Sequence, residues 1–327
     1  MTDFCRLIIT VPDRLCGQRL DQALSRLASD YSRSRLQYWI RSGQVRVDGA
    51  IWRPKDRVMG GESVEILASA APLPALLPQE IELDILYADD ALLVINKPPG
   101  LVVHPAAGNP DGTLQNALLH YDPGLAKVPR CGIVHRLDKA TSGLLVVART
   151  LPAHHQLVVQ LQAHHIRREY DAVVNGVMTA GGSIEAPIGR HPVDRKRMSV
   201  VPGGKPALTH YRVKERFARH TRILVRLETG RTHQIRVHMA HIRHPLLGDP
   251  VYGGRLRLPA GAGTELRSAV RDFRRQALHA ARLSLAHPST GMTMTWRAPL
   301  PADMTRLITV LRAGAPGDAE QATGCGT

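Results

Sequence analysis

The sequence predicts an α+β protein with a mixed, largely antiparallel sheet in its larger domain, preceded by a small domain of two helices and a β-hairpin. Apolar residues repeat at helical spacing near the N-terminus, whereas short alternating or wholly apolar runs separated by Pro and Gly dominate the rest. Neither G-x-G-x-x-G nor G-x-x-x-x-G-K-[ST] occurs in the chain. A repeating βαβ domain that binds nucleotides therefore lacks its usual signatures.

The first domain is expected at residues 17–66. Leu20, Leu24 and Leu27 repeat at i, i+4 and i+7, which predicts a helix with one buried face. A second helix should end at Gly43, because glycine favours the backbone conformation that closes helices. Its buried face should contain Leu36, Trp39 and Ile40.

A hairpin and a basic surface complete this domain. The stretch "VRVDGAIW" alternates around Asp48-Gly49, a pair that favours tight hairpin turns. Residues 33–57 contain seven Lys or Arg and only two Asp. This surface either is simply solvated or contacts a polyanion. The candidate contacts are Arg33, Arg35 and Arg41.

A linker and a second domain follow. The uncharged, Pro- and Ala-rich stretch "SAAPLPALLPQ" predicts a linker at 69–79. The second domain is expected at 81–312, where runs such as "LLVIN", "LLVVAR" and "YDAVVNG" indicate strands. The small, polar residues 313–327 predict a disordered tail.

The charge of the chain limits its partners. The formal net charge is +15, with a sequence pI near 10.3, which favours nucleic acid as a partner. No apolar run approaches the roughly 18 residues of a membrane span, and the N-terminus does not resemble a signal peptide. We therefore expect a cytoplasmic protein without membrane contact. The four scattered Cys and the His-rich "RTHQIRVHMAHIRH" lack metal-ligand spacing, so no metal is expected.

One acidic residue stands out in "CGIVHRLDKATSGLLVVAR". Asp138 follows a short apolar run and precedes a predicted turn, which places it on a loop at the edge of the sheet. Reactive groups are often carried by such loops, but an Asp in a turn more often binds the backbone. The local sequence alone therefore leaves both roles open.

The stretch "HRLDKATSG" resembles H-R-L-D-x-x-T-S-G, the signature of the RluA family of pseudouridine synthases, at all seven fixed positions. Further blocks that resemble this family follow its order over about 81–300. They are "VINKPPGLVVHPAAGNPDGTLQNAL", "RREYDAVVNG", "GKPALTHYRV", "LETGRTHQIRVHMAHIRHPLLGDPVYG" and "RQALHAARLSLAHP". Residues 17–66 resemble an S4 RNA-binding domain. This combination is most similar to family members that act on large-subunit ribosomal RNA.

The resemblance implies an isomerase that converts specific uridines of 23S ribosomal RNA to pseudouridine, as a monomer and without a cofactor. Asp138 matches the essential aspartate of the family, and Arg231 matches an arginine that pairs with it. Tyr170 matches the tyrosine that lies against the target base. Arg136 matches an arginine that enters the RNA stack when the target nucleotide leaves it.

Other interpretations remain open from the residues themselves. Tyr170 could be an ordinary core aromatic residue, and Arg231 could be a phosphate contact. The chain could modify another RNA, such as tRNA, or bind ribosomal RNA as a catalytically silent assembly protein. It could also be a glycosidase that releases free base, although one carboxylate and a long basic surface disfavour a small substrate.

Overall fold

A computed structural model describes residues 4–29, 31, 33–69, 77–106, 108–195, 197–254, 258 and 262–314. The chain divides into two compact units, Met1–Leu76 and Leu77–Thr327. Most of the predicted linker, residues 70–76, and nearly all of the predicted tail lie outside the described residues. None of the helices in the described ranges has the length and apolar composition that a membrane span requires.

The first unit packs two helices on a three-stranded sheet. Helices α1 (Leu20–Leu27) and α2 (Arg33–Arg41) lie between β1 (Phe4–Thr10) and β2 (Val45–Val47) in the sequence, and β3 (Ser63–Ser69) follows. The sheet is antiparallel in the order β1-β3-β2. The predicted apolar faces of both helices are buried, including Leu20, Leu24, Leu36, Trp39 and Ile40.

The expected hairpin differs from the observed strand pairing. Asp48 and Gly49 have φ values of 48° and 80° and form the predicted tight turn. Only Val47 of β2 bridges back across the turn, to Ala50, whereas the whole of β2 pairs with β3, about 16 residues further along the chain. The sheet also includes β1, which precedes the predicted start at residue 17.

A nine-stranded mixed sheet forms the centre of the second unit. Its strands are β4 (Ile85–Ala88), β5 (Leu92–Lys97), β6 (Ser142–Ala148), β7 (Arg167–Asn175), β8 (Gly182–Glu185), β11 (Leu208–Arg216), β12 (His220–Leu227), β13 (Leu278–Ala286) and β14 (Thr293–Arg297). Their order is β4-β5-β6-β13-β7-β12-β11-β8, and β14 pairs with β13. Only the β6–β13 pair is parallel among these pairs, which confirms the predicted α+β class with a largely antiparallel sheet.

Helices and a small ribbon surround this sheet. The helices are α3 (Leu114–Tyr121), α4 (Leu151–Gln162), α5 (Gln234–His241), α6 (Thr264–Asp272) and α7 (Ala302–Ala313). Strands β9 (Ile188–Arg190) and β10 (Met198–Val200) form the ribbon. Ala153 and Leu157 of α4 pack in one core with residues of β5, β6 and β13, and α6 and α7 pack around Val173 in another. Both faces of the central strands are therefore covered, and the loops between them remain available for a site.

Candidate active site

A cavity of about 790 Å³ lies in the second unit, where the loop before β6, the strand β7 and the start of α5 meet. Asp138, Tyr170, Arg136 and Arg231 all line this cavity. Four of the residues singled out in the sequence therefore come together, although they are distributed over almost 100 positions. The volume is in the range of small-molecule and cofactor sites, and one nucleotide is a ligand of that class.

The loop that carries Asp138 is fixed to the sheet by the other residues of "HRLDKATSG". The His135 ring accepts a hydrogen bond from the Val146 amide of β6 at 3.2 Å. Burial lowers the pKa of His135 to about 3, so its ring is neutral and can accept this bond. After the carboxylate, the Thr141 amide donates to the Asp138 carbonyl at 3.0 Å and closes a turn.

A second set of contacts joins the same loop to β13. Gln276 donates to the Thr141 hydroxyl at 3.0 Å, and the Ser142 hydroxyl lies 3.0 Å from Nδ1 of His279. Gly143 has a φ of 110°, and a Cβ at this position would lie 2.3 Å from the Ala280 carbonyl oxygen. Only glycine combines this backbone conformation with so close an approach. The signature residues therefore hold Asp138 at a defined place on the sheet.

Lys97 ties a neighbouring loop to the loop of Asp138. Its ammonium group is fully buried and donates to the carbonyls of Pro98, Leu101 and Lys139 at 2.7, 3.0 and 3.2 Å. Burial lowers the pKa of Lys97 to about 7, against the opposing effect of the Asp138 charge. Because only an ammonium group has three N–H donors, the three contacts describe the protonated lysine.

The arginine that pairs with Asp138 is Arg236, and the expected pairing with Arg231 is wrong. Nη1 of Arg236 lies 3.0 Å from Oδ2 of Asp138. Arg231 is exposed, and its Nε donates to the Pro206 carbonyl at 3.1 Å. The local backbone explains the difference, since His233, with a φ of 57°, marks the start of α5. Arg231 precedes the helix, whereas Arg236 lies in its first turn and points inward.

Arg236 is itself held by a second carboxylate. Its Nε and Nη2 donate to the two oxygens of the buried Asp249 at 2.7 and 2.9 Å. Asp249 also accepts the amides of Val251 and Tyr252, at 2.9 and 3.0 Å. Although burial opposes the charge, Asp249 and Asp138 raise the pKa of Arg236 above its ordinary value. Burial likewise opposes the charge of Asp249, but the hydrogen bonds and charge of Arg236 keep its pKa low.

Aromatic contacts complete the support of Arg236. The guanidinium carbon lies 5.0 Å from the ring centroid of Tyr252, in the range of a cation–π contact. The Tyr252 hydroxyl lies 3.0 Å from Nδ1 of His233, whose Nε2 is 3.9 Å from Oδ1 of Asp138. Burial lowers the pKa of His233, against the opposing charge of Asp138. Asp138 therefore faces one fixed cation and one imidazole.

Tyr170 lies on the central strand β7, with only 5% of its surface exposed, and lines the cavity. Burial is the main cause of its raised pKa, and the Asp138 charge acts in the same direction. The hydroxyl is therefore protonated at neutral pH. Tyr170 is therefore a buried residue that also lines the cavity, and its contact with a target base stays a prediction.

The other residues predicted to contact RNA differ in their exposure and in their partners within the protein. Arg136 is exposed at the cavity, close enough for its charge to lower the pKa of His233 and of His104. In the first unit, Arg41 is exposed, and the guanidinium of Arg35 lies 5.6 Å from the ring centroid of Trp39. Arg33 pairs with the fully buried Asp21 at 2.6 Å. Arg33 therefore joins α2 to α1, a role that the charge count does not reveal.

Sequence reasoning missed Lys97, Arg236 and Asp249. A usable signal existed for Arg236, because it lies at i−3 from the apolar Met239 in a predicted helix and so shares its inward face. Lys97 and Asp249 gave no such signal, since their roles depend on loops that are distant in sequence. Within the described ranges, no three His, Cys, Asp or Glu side chains are grouped in a way that could hold a metal ion.

Known proteins are similar to this chain over most of its length. Residues 91–241 match the family model for RNA pseudouridylate synthase, and residues 18–64 match the model for the S4 domain. Ribosomal large subunit pseudouridine synthase D of Escherichia coli (strain K12) is 57% identical over 314 residues, which are 96% of each chain. The protein of the same name from Pseudomonas aeruginosa is 56% identical over 95% of this chain and 98% of its own.

Solved structures show the same fold. Human RNA pseudouridylate synthase domain containing 1 superposes with a TM-score of 0.53 at 25% identity, over 73% of this chain and 98% of its own. Human RNA pseudouridylate synthase domain containing 4 superposes with a TM-score of 0.54 at 27% identity, over 70% of this chain and 92% of its own. With relatives more than half identical over nearly its whole length, the chain belongs to the RNA pseudouridylate synthase family.

Proposed function

We propose that this protein converts specific uridines of large-subunit (23S) ribosomal RNA to pseudouridine, with Asp138 as the catalytic carboxylate. The observation that carries the proposal is the Asp138–Arg236 pair at 3.0 Å in a cavity beside Tyr170. The RNA class rests on the relatives named ribosomal large subunit pseudouridine synthase D, which are 56–58% identical over at least 95% of this chain.

The reaction cleaves the N1–C1′ bond of a uridine, turns the uracil and rejoins it through C5. C1′ carries positive character when the base leaves, and a carboxylate can stabilise this charge, add to C1′ or act as a base toward the sugar. Asp138 suits this role because Arg236 is shared with Asp249, so the three side chains together keep one net negative charge. The carboxylate is therefore aimed by its arginine without being neutralised overall.

Tyr170 supplies a surface for the detached base. Its buried ring lines the cavity, its hydroxyl is protonated, and the Asp138 charge acts on it. An aromatic face can stack on uracil, and the hydroxyl can exchange protons at C5. The position of Tyr170 on a central strand also keeps the ring in place while the base turns.

The charge of the cavity suits an extruded nucleotide. Six Lys or Arg line it against two acids, Asp138 and Glu228. The basic residues are Arg130, Arg136, Lys139, Arg168, Arg231 and Arg236. Exposed members such as Arg136 and Arg231 are placed to contact phosphates, while the buried Arg236 aims the carboxylate. All of these residues belong to the second unit of one chain, which supports action as a monomer, and the proposed ribosomal RNA substrate implies action in the cytoplasm.

The first unit, which contains the S4 domain and is called the S4 unit below, would add affinity for the RNA. The exposed Arg41 lies at the end of α2, in the basic segment that the sequence indicates. Phosphate contacts of this type raise affinity without reading sequence. The proposed division is therefore that residues 17–66 capture RNA while the second unit performs the chemistry.

The experiment that tests the proposal uses a 23S rRNA transcript labelled with tritium at uracil C5. Isomerisation releases tritium into water and leaves the chain intact, because C5 exchanges its hydrogen for the bond to C1′. A glycosidase would release free labelled uracil, and a silent binding protein would release neither product. Transfer RNA labelled in the same way serves as the second substrate. Tritium release from tRNA alone would overturn the assignment to large-subunit RNA.

A further inference from the structure

A buried arginine of the cavity has no role in the mechanism described so far. Arg168 is 8% exposed and precedes Tyr170 by two residues on β7, so both side chains project from the same face of the sheet. Both also line the cavity. The charge of Arg168 opposes the rise in the pKa of Tyr170 and lowers the pKa of His135.

Arg168 has no acidic partner among the residues that the structure describes. The carboxylates of the same strand, Glu169 and Asp171, lie on its opposite face. There they pair with other basic residues, Arg282 with Glu169 and both Arg222 and Lys214 with Asp171. The Nε of Arg168 is buried without a hydrogen-bond partner in the described part of the chain, and its Nη2 reaches the Glu228 carbonyl only at 3.5 Å.

This arrangement costs stability unless a ligand completes it. A guanidinium removed from water without a carboxylate loses hydration that weak contacts do not replace. The guanidinium lies against Gly230, where a Cβ would be 2.8 Å from its Nη1. The absence of a side chain at Gly230 therefore leaves room for the guanidinium at the cavity wall.

The reaction supplies a matching anion. When the N1–C1′ bond breaks, its electron pair stays with the base, and the uracil becomes an anion whose charge is shared by N1 and the carbonyl oxygens. The positive character at C1′ is taken up at Asp138. C5 then bonds to C1′, the C5 proton leaves, and N1 takes up a proton, which restores the balance of an isomerisation.

We propose that Arg168 stabilises this uracil anion while the base is detached beside Tyr170. The inference rests on the proposed function and adds to it a cation that acts on the base itself. Arg236 aims the carboxylate at the sugar, and Arg168 receives the charge of the leaving base. A donor placed where charge develops acts most strongly in a buried site, because the protein does not have to reorganise around it.

The test compares Arg168→Met with Arg167→Met on two RNA substrates that carry uridine or 5-fluorouridine at the target position. Arg167 is the adjacent, exposed residue on the other face of β7, so its variant removes the same charge as a matched control. Cleavage of the glycosidic bond is measured under single-turnover conditions, by nuclease digestion and chromatography. Fluorine stabilises the uracil anion, so the fluorinated base depends less on a cation.

Arg168→Met should slow cleavage at uridine by about 10²- to 10³-fold, the effect of removing one such donor. The loss of cleavage rate that Arg168→Met causes at 5-fluorouridine should be smaller than its loss at uridine by a factor of about ten or more. Arg167→Met, as a surface substitution, should change the rate on either substrate by less than about threefold. If a thermal melt shows that Arg168→Met is unfolded, Arg168→Lys should show the same preference for the fluorinated substrate, with a smaller loss.

Equal slowing on both substrates, or no slowing, would overturn the role of Arg168 while leaving the proposed function intact. A wild-type protein that cleaves neither RNA would overturn the proposed function and this inference together.

Discussion

Arg236 donates to Asp138 at 3.0 Å across 98 positions of sequence, and its remaining nitrogens are held by the buried Asp249. One cation thus joins two carboxylates, of which one is at the cavity and the other is inaccessible. The Asp138–Arg236 pair at the cavity is therefore positioned by the buried Arg236–Asp249 pair behind it.

Replacing Asp138 with Asn should abolish most turnover without altering the fold. The change removes the anion but little volume, so pseudouridine formation should fall by roughly 10³-fold or more, with RNA affinity within a few-fold of wild type. Tritium release and a binding titration measure the two quantities. Asp90→Asn, at an exposed position outside the cavity, is the control and should keep full activity. Substantial activity of a homogeneous Asp138→Asn protein would contradict the assignment.

Arg236→Met and Arg231→Met should have different effects, although both remove one positive charge near Asp138. Arg236→Met removes the only arginine that donates to Asp138 among the described residues, so the single-turnover rate should fall by about 10²-fold. Arg231→Met should leave that rate within a few-fold at saturating RNA. It should instead flatten the dependence of log affinity on log salt by about 0.7 to 0.9. The reverse pattern would restore Arg231 as the partner of the carboxylate.

Asp249→Asn should reduce both stability and rate. The substitution leaves the buried Arg236 without its bidentate partner, and breaking such a pair costs about 3–5 kcal/mol of unfolding free energy. The guanidinium should also lose its aim at Asp138, so the single-turnover rate should fall even at temperatures where the variant is fully folded. Denaturant unfolding and single-turnover kinetics measure the two effects. A destabilised variant with the wild-type rate would show that Asp249 supports the fold alone.

Stability at acid pH should depend on His220. Burial lowers the pKa of His220 to about 4, below the ordinary value of 6.5, so the unfolded chain binds more protons between these values. The stability is at its full value above pH 6.5, falls progressively as the pH drops from 6.5 to 4, and shows no further loss from this residue below pH 4. At pH 5 the loss attributable to this residue is about 2 kcal/mol, from roughly 1.4 kcal/mol per pKa unit.

His220→Gln cannot take up this proton, so its free energy of unfolding should fall by about 2 kcal/mol less than that of wild type between pH 7.5 and pH 5. Denaturant titrations at both values provide the comparison, and pH 7.5 serves as the internal reference for the substitution itself. Parallel decreases in the two proteins would contradict the assignment of acid sensitivity to His220.

Arg33→Gln and Arg41→Gln separate structure from binding in the first unit. Arg33 is an ion-pair partner of the fully buried Asp21, so its loss should destabilise this unit by roughly 1–3 kcal/mol. Arg41 is exposed, so its loss should leave stability unchanged. It should instead reduce the slope of log RNA affinity against log salt concentration by about 0.7 to 0.9. Unfolding curves and binding over a salt series distinguish the outcomes. An unchanged salt slope for Arg41→Gln would place the RNA on another surface.

The sequence could predict the fold class, both helices of the first unit and the loop of Asp138, because each depends on local spacing or on a contiguous signature. It could not assign the partner of Asp138, since "GRTHQIR" offers two arginines five positions apart. The start of α5 at the left-handed His233 decides between them, and that conformation is not evident from residue type. The strand β1 was missed for a similar reason, because its pairing partner β3 lies more than 50 residues away.

The single parallel pair of the central sheet also sets an order of events during synthesis on the ribosome. Ser142 and Gly143 meet His279 and Ala280, so the strand that anchors the loop of Asp138 is made more than 130 residues after it. Domains fold largely as units while the chain emerges, and contacts distant in sequence form late. A nascent chain therefore completes its S4 unit long before its carboxylate is in place. A protein made beside ribosomal RNA would bind that RNA before it could modify it, and premature termination before residue 280 would leave a binder without activity.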